Sequence, residues 1–171
     1  YLTVAVAHLL HHVRHTVGYF TGDSGTTARA AEKLGAAVGG DLYPIAPAQP
    51  YTSADLDWNN KRSRSSVEMN DPKMRPAIKS KKENIGTYDV VFIGYPIWWD
   101  LAPRIINTFI ESHSLKGKTV VPFATSGGSS IGNSATVLKK TYPDLNWKEG
   151  RLLNRTDEKA IRAWLDVIAV K

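Results

Sequence analysis

An α/β fold, with a parallel sheet covered by helices on both faces, is the class that this 171-residue sequence predicts. Segments with strand character alternate with segments of helical periodicity along the chain. The apolar runs at 88–94 and 119–125 are continuous rather than alternating, which is typical of strands buried on both faces. The length fits one domain over 1–171, in which 1–12 is an irregular terminal extension and 51–84 a loop-rich segment.

The first half of the chain predicts two strands and one helix. A strand over 13–20 runs into a turn at 21–27, which opens into the helix. One face of this helix is apolar and comprises Ala28, Ala31, Leu34 and Val38. Gly39-Gly40 ends the helix, and 41–45 forms a short second strand. Residues 51–84 are polar and hold a turn or two of helix at most.

The second half predicts three strands and three helices. The strand at 88–94 is followed by a helix that opens at Pro103, where the missing N–H costs nothing. The strand at 119–125 precedes the next helix, 146–153 is a weaker last strand, and Thr156 is the N-cap of the final helix. The inward faces of the three helices comprise Ile105, Ile106, Phe109 and Ile110; Ile131, Ala135, Leu138 and Tyr142; and Ala160, Ile161, Trp164, Leu165 and Ile168.

The net charge of +6 arises from 22 Lys and Arg residues against 16 Asp and Glu residues. The basic segment 61–82 carries all of this excess, and the rest of the chain is balanced. Its charged residues are Lys61, Arg62, Arg64, Lys73, Arg75, Lys79, Lys81 and Lys82, with Glu68 and Asp71 opposing them. The segment lacks interleaved aromatic residues, heptads and zinc-finger spacing, so it does not predict nucleic-acid binding. A solvated, loop-rich surface is favoured over a binding patch.

Several function classes are excluded by composition. Because the chain contains no cysteine, thiolate nucleophiles, cysteine zinc sites and iron–sulfur clusters are ruled out. No apolar stretch reaches the roughly 18 residues that a membrane span requires. Residues 1–10 lack a basic region and a clear cleavage site, so we predict no signal peptide and a cytoplasmic location.

Four of the five histidines fall within the first fifteen residues: His8, His11, His12 and His15. At helical spacing they would share one face and could ligate a metal. No carboxylate stands beside them, and a terminal strand or a sequence remnant explains the cluster better. We therefore predict no metal site.

Three loops follow predicted strands at the sheet edge where parallel sheets bind ligands: 21–27, 95–100 and 126–132. The first loop opens into a helix, whose free N–H groups and dipole attract an anion. Its candidate phosphate ligands are Thr21, Gly22, Ser24, Gly25, Thr26 and Thr27. The absence of a Gly-Lys-Ser/Thr ending excludes a triphosphate loop, and the absence of Lys and Arg predicts a monophosphate held by neutral donors. A helix cap with a turn is the alternative.

The second and third loops suggest a flat ring ligand. Two adjacent tryptophans at a strand end favour an aromatic ligand over a mere lid on the core, and the candidates are Pro96, Ile97, Trp98 and Trp99. The third loop can bring backbone N–H groups to the edge of such a ring. Its candidates are Ser126, Gly127, Gly128, Ser129 and Gly132.

Together, the first loop, VVFIGYPIWWD at 90–100 and TSGGSSIG at 125–132 resemble the flavodoxin family, in the branch whose second loop contains Pro-Ile-Trp-Trp. The resemblance implies a flavodoxin-like three-layer sandwich with a five-stranded parallel sheet and non-covalently bound FMN. It places the FMN phosphate at 21–27 and the ring between 96–99 and the third loop. Two features depart from the family: the first loop is one residue longer and contains Asp23, and the first strand has a histidine-rich lead-in.

The resemblance implies an electron-transfer protein that exchanges electrons with a redox partner protein or a small-molecule acceptor. The first alternative is an FMN-dependent NAD(P)H:quinone-type oxidoreductase, which the basic segment modestly favours. A flavin-free module of the same fold is the second alternative, because fold does not dictate function. Electron transfer needs no general acid or base, so we predict no catalytic side chain.

Overall fold

The computed structural model describes residues 13–22 and 24–170. Its strands run in parallel in the order β2–β1–β3–β4–β5, and β6 continues the β5 position along β4. The strands are β1 (His15–Tyr19), β2 (Asp41–Pro44), β3 (Val90–Pro96), β4 (Thr119–Thr125), β5 (Asn146–Trp147) and β6 (Arg151–Leu152). The helices are α1 (Thr26–Val38), α2 (Arg64–Asn70), α3 (Arg104–Ser112), α4 (Gly132–Thr141) and α5 (Glu158–Val167), with a 3-10 turn at Ile85–Thr87. The predicted fold class is confirmed.

Each face of the sheet has its own hydrophobic core. On one face, α1 and α5 pack against alternate residues of the central strands, with Phe92 and Phe123 completely buried. On the other, α3 and α4 cover Ile93 and Tyr95. The predicted inward faces of α3 and α5 are buried except for Ala160, whereas α4 fully buries only Leu138 of its predicted face. The continuous apolar runs of β3 and β4 thus reflect burial on both faces.

The fifth strand differs from the predicted continuous strand over 146–153. β5 pairs with β4 at Thr119 and Val120, and β6 pairs at Phe123 and Ala124. Three residues, 148–150, separate β5 from β6. On β4, the two pairing sites are separated by only two residues, 121 and 122. Such an inserted residue interrupts the ladder as a bulge does.

The N-cap of α5 also differs from the prediction. The carboxylate of Asp157 accepts a hydrogen bond from the Ala160 N–H at 2.9 Å, as an N-cap side chain does. Thr156 lies one residue before the cap, and its hydroxyl instead donates to the Leu152 carbonyl at 3.4 Å. Both residues are good caps by type, so local sequence alone does not choose between them.

The basic segment is partly a packed element rather than a solvated loop. Arg64 on α2 forms an ion pair with the buried Glu68 at 3.0 Å, and Arg75 pairs with Glu111 of α3 at 2.9 Å. These contacts hold the segment against the body of the protein. The prediction of a solvated surface is therefore wrong for Arg64 and Arg75. Lys61 and the other exposed lysines of the basic segment agree with this prediction.

Membrane-spanning helices and metal sites were searched for in the described part of the chain. No described helix is long and apolar enough to cross a membrane. Across residues 13–22 and 24–170, no group of three or more His, Asp or Glu residues could hold a metal ion. Three histidines of the terminal cluster lie outside the described residues: His8, His11 and His12. His15 is buried in β1, where its ring stacks on Phe92 with centroids 6.3 Å apart.

His113 follows α3 and binds the end of the basic segment through hydrogen bonds that require a neutral imidazole ring. Its Nδ1–H donates to the Phe109 carbonyl at 2.8 Å, and its Nε2 accepts the Lys82 N–H at 2.9 Å. The second bond requires an unprotonated Nε2. Burial is the largest cause that lowers the pKa of His113 below its ordinary value of 6.5.

We therefore expect His113 to make folding sensitive to acid. The unfolded chain binds a proton at His113 more readily than the folded chain does. The contribution of His113 to folding stability is therefore complete above pH 6.5, and it is lost as the pH falls through the lowered pKa of the folded state. Urea unfolding between pH 5 and pH 8 measures this loss. His113→Gln should flatten the slope below pH 6.5, and an identical slope in wild type and variant would contradict the assignment.

Candidate functional site

The three loops meet at the carboxyl ends of β1, β3 and β4, where the strand order reverses between β1 and β3. A main cavity of about 1120 Å³ opens there. A side cavity of about 560 Å³ shares Leu56, Trp58, Ile97, Trp98, Ser126 and Gly127 with it. The main cavity is as large as the largest ordinary small-molecule sites, which span about 300 to 1,000 Å³.

The first loop forms the end of the main cavity at which the sequence predicts a phosphate. Gly25 is the N-cap of α1 and has a left-handed backbone with φ of 69°, which glycine adopts without strain. The hydroxyls of Ser24 and Thr26 lie 2.8 Å apart and line the main cavity with Gly22. The helix start and these hydroxyls make a suitable environment for a phosphate.

The other first-loop candidates shape the loop rather than line the main cavity. The Thr21 hydroxyl accepts the Ala28 N–H at 3.3 Å and so caps the first turn of α1. The buried hydroxyls of Thr27 and Thr125 lie 2.7 Å apart, which ties α1 to the end of β4. Asp23 lies outside the described residues.

Cationic side chains line the main cavity beside the first loop, and sequence reasoning missed them. They belong to Arg29, Lys33 and Arg155. The Arg29 guanidinium donates to the Ser24 carbonyl at 3.0 Å and to the Thr26 hydroxyl at 3.3 Å. The prediction of purely neutral donors is therefore corrected. Helical spacing could have found Arg29, since residues three apart share a helix face.

The second loop is a tight turn with an unusual backbone. Trp98 and Leu101 exchange two backbone hydrogen bonds of 2.9 Å. The two residues between them, Trp99 and Asp100, have φ of 48° and 63°, a pattern that normally selects Asn and Gly. Non-glycine residues in this conformation are strained and cluster at functional sites. Trp99 is half-exposed and lines the side cavity.

Trp98 is held by an aromatic cluster that includes the start of segment 51–84. The rings of Phe20 and Tyr51 each contact it edge-on, with centroids 5.6 Å away. Tyr51 donates its hydroxyl proton to Glu68 at 2.5 Å, and the Arg64 guanidinium lies 3.7 Å from the Tyr51 ring centroid. Burial, followed by Glu68, raises the pKa of Tyr51 above 10, so the phenol stays a donor. Tyr51 and the two residues that hold it, Glu68 and Arg64, thus come from a segment with no recognisable site motif.

The third loop uses several of its N–H groups internally. The Ser126 hydroxyl accepts the N–H groups of Gly128 and Ser129 at 3.1 and 2.7 Å. The Asn154 side chain accepts the Ser126 N–H and donates to the Ser126 carbonyl, both at 2.7 Å. The expectation that these three N–H groups read a ring edge is corrected, because they stiffen the loop instead.

The predicted candidates are therefore partly assembled into one site. Those that line the two cavities are Gly22, Ser24, Thr26, Pro96, Ile97, Trp98, Trp99, Ser126, Gly127, Gly128 and Ser129. Gly132 begins α4 and lines neither cavity. Asn154 and Trp58 were not predicted, although the position of Asn154, two residues after β6, is a usable signal.

Comparisons with known proteins give one family match and several similar solved structures. The family model described as Flavodoxin matches residues 14–168. A candidate flavoprotein from Bacteroides eggerthii DSM 20697 is 93% identical over 94% of this chain and 100% of that chain, with a TM-score of 0.92. One from Bacteroides uniformis ATCC 8492 is 54% identical over 91% and 99%, with a TM-score of 0.87. A flavoprotein in complex with FMN from Lactobacillus acidophilus NCFM shares the fold at 19% identity over 90% and 99%, with a TM-score of 0.71. The sequence matches no curated protein.

Proposed function

The chain belongs to the flavodoxin family, and from this premise we propose that it binds FMN and transfers electrons. One observation carries the proposal: a single cavity joins an anion-binding helix start to the ring of Trp98. A ligand with a phosphate at one end and a flat ring at the other matches both ends. The FMN complex of the Lactobacillus acidophilus flavoprotein, which has the same fold, supports this choice.

The donor set fits the two ends of FMN. Ser24, Thr26 and Arg29 offer hydroxyl and guanidinium donors for the phosphate. Ile97 and Trp98 offer apolar surface for the ring at the other end. When bound, FMN supplies the transfer of one or two electrons. The chain itself binds, orients and shields the cofactor.

The walls of the two cavities suit electron transfer better than acid–base chemistry. Their described lining residues include no histidine and no carboxylate. The rings of Trp98 and Trp58 line the ring end. An apolar environment disfavours added negative charge on a bound ring. We expect the electron donor and acceptor to be a redox partner protein or a small molecule.

Titration of the purified protein with FMN tests the proposal. We expect flavin fluorescence to change until one FMN is bound per chain, together with a shifted visible absorption spectrum. Riboflavin, which lacks the phosphate, should bind more weakly because the cationic end of the cavity is then unused. If the fluorescence and absorption of FMN are the same with and without the protein, the proposal is eliminated and the flavin-free module remains.

The side cavity favours a second candidate function. It lies next to Trp98 and Trp99, and about 560 Å³ is enough for a small planar molecule. This arrangement suits an FMN-dependent NAD(P)H:quinone-type oxidoreductase. Steady-state NAD(P)H consumption with a quinone separates the two candidates: rapid turnover without an added reductase favours the enzyme, and its absence favours the carrier.

A further inference from the structure

A separate small cavity of about 140 Å³ lies between α3, α4 and the basic segment. Its polar walls consist of two guanidiniums, one amide and two hydroxyls, from Arg75, Arg104, Asn107, Ser134 and Thr141. No carboxylate lines it. It adjoins the second loop through Leu101 and shares no lining residue with the main or side cavity. Ser134 and Thr141 already donate their hydroxyl protons to the Ile131 and Val137 carbonyls, and Asn107 donates to the Tyr142 hydroxyl. The two guanidiniums are therefore the groups that can hold an anion here.

Arg104 is the central group of this cavity. It is only 7% exposed, and it donates to the Glu68 and Met69 carbonyls at 3.3 and 2.9 Å. These two bonds cap the end of α2 but use only part of a guanidinium's donors. Over residues 13–22 and 24–170, Arg104 has no carboxylate within ion-pair distance.

The second guanidinium adds no net charge to this region, because Glu111 neutralises it. Arg75 is bound to Glu111 at 2.9 Å, so Glu111 is already committed to another cation. Burial is the largest cause that lowers the pKa of Arg104, and the charge of Arg75 lowers it further, against an opposing effect of the exposed Asp71. A buried cation beside a like charge is costly unless an anion compensates for it.

We propose that this cavity binds a small inorganic oxyanion of phosphate size, which bridges Arg75 and Arg104. The volume of about 140 Å³ exceeds the roughly 30 Å³ share of one water several-fold, so a tetrahedral anion has room. Each guanidinium keeps N–H groups beyond those that it donates to the Glu68, Met69, Pro72 and Met74 carbonyls and to Glu111. Charge-assisted hydrogen bonds from such N–H groups favour an oxyanion over chloride. The walls leave no room for a nucleotide. This site stands independently of the FMN proposal.

The test is a titration with inorganic phosphate at constant ionic strength, with chloride as the reference salt. It is run on the wild-type protein with excess FMN and on Arg29→Gln, so that phosphate bound at the first loop is recognised as such. Mass action predicts that phosphate at 100 times its Kd raises the folding equilibrium constant about 100-fold. We expect the thermal midpoint to rise with phosphate in both proteins, and calorimetry to give the Kd.

Two variants assign the effect to this cavity. Arg104→Gln should weaken phosphate binding at least about 10-fold, since a charge-assisted bond is lost. That variant also loses part of the α2 cap, so Val137→Asp is the second variant: it adds a carboxylate to the cavity wall from the partly exposed face of α4. Val167→Asp, on the exposed face of α5, is the matched control.

Phosphate binding by these variants either supports or contradicts the proposed site. Loss of phosphate binding in Val137→Asp, with binding retained in Val167→Asp and Arg29→Gln, supports the site. The proposal is overturned if phosphate stabilises the wild type no more than chloride does, or if Val137→Asp binds phosphate as tightly as the wild type.

Discussion

Gly94→Ala is expected to lower the free energy of unfolding by about 3 kcal/mol, the upper part of the range for overpacked cores. A Cβ at Gly94 would lie 2.1 Å from Cζ of Phe123 and within 2.6 Å of two further ring atoms. Phe123 is the cross-strand neighbour of Gly94, and its ring is completely buried between β4, α1 and α5. Because the core is close-packed, the ring cannot move aside without disturbing its neighbours.

Urea unfolding of Gly94→Ala beside Gly86→Ala measures this steric cost. A Cβ at Gly86 meets no heavy atom within 4 Å, so that variant should change stability by about 0.5 kcal/mol or less. Adding Phe123→Leu to Gly94→Ala should recover part of the loss, since the smaller side chain makes room for the methyl group. Equal midpoints for the two single variants would show that the ring does not pack over Gly94.

Trp98→Ala is expected to weaken FMN binding by about 10- to 100-fold, and this expectation rests on the proposed function. Stacking of a flat ring on an aromatic side chain contributes about 1–3 kcal/mol. Phe20 and Tyr51 contact Trp98 edge-on, so little conformational entropy is lost when a ligand packs against it. The measurement is the Kd from fluorescence titration.

Riboflavin separates the ring end of the main cavity from its phosphate end. Trp98→Ala should weaken riboflavin and FMN alike, whereas Arg29→Gln should weaken FMN alone. Trp98→Phe keeps an aromatic ring and should retain most of the affinity. An unchanged FMN Kd in Trp98→Ala would mean that the ring binds elsewhere in the cavity.

The sheet and most helices were predictable because their signals are local. The unbroken apolar run of β3 and the inward face of α3 follow directly from periodicity. The place of the site also follows from topology, because loops after parallel strands meet at one sheet edge. These rules require no knowledge of which side chains touch.

The unpredicted parts depend on contacts between distant residues. Arg75 finds Glu111 across 36 residues, and Asn154 finds Ser126 across 28. Tyr51 contacts Trp98 and is held by Glu68, 17 residues away, and by the Arg64 guanidinium. No local pattern encodes these partners, so charge alone suggested a solvated surface.

The interrupted fifth strand affects how the folded protein meets other copies of itself. Exposed sheet edges offer unpaired N–H and C=O groups, on which another chain can add a strand and begin aggregation. Here one edge consists of the two-residue strands β5 and β6, and the other is the four-residue β2, which ends at Pro44. Neither offers a long, regular ladder, and proline has no N–H to donate. In the described part of the chain, the interruption at 148–150 and the short β2 therefore both disfavour edge-to-edge association.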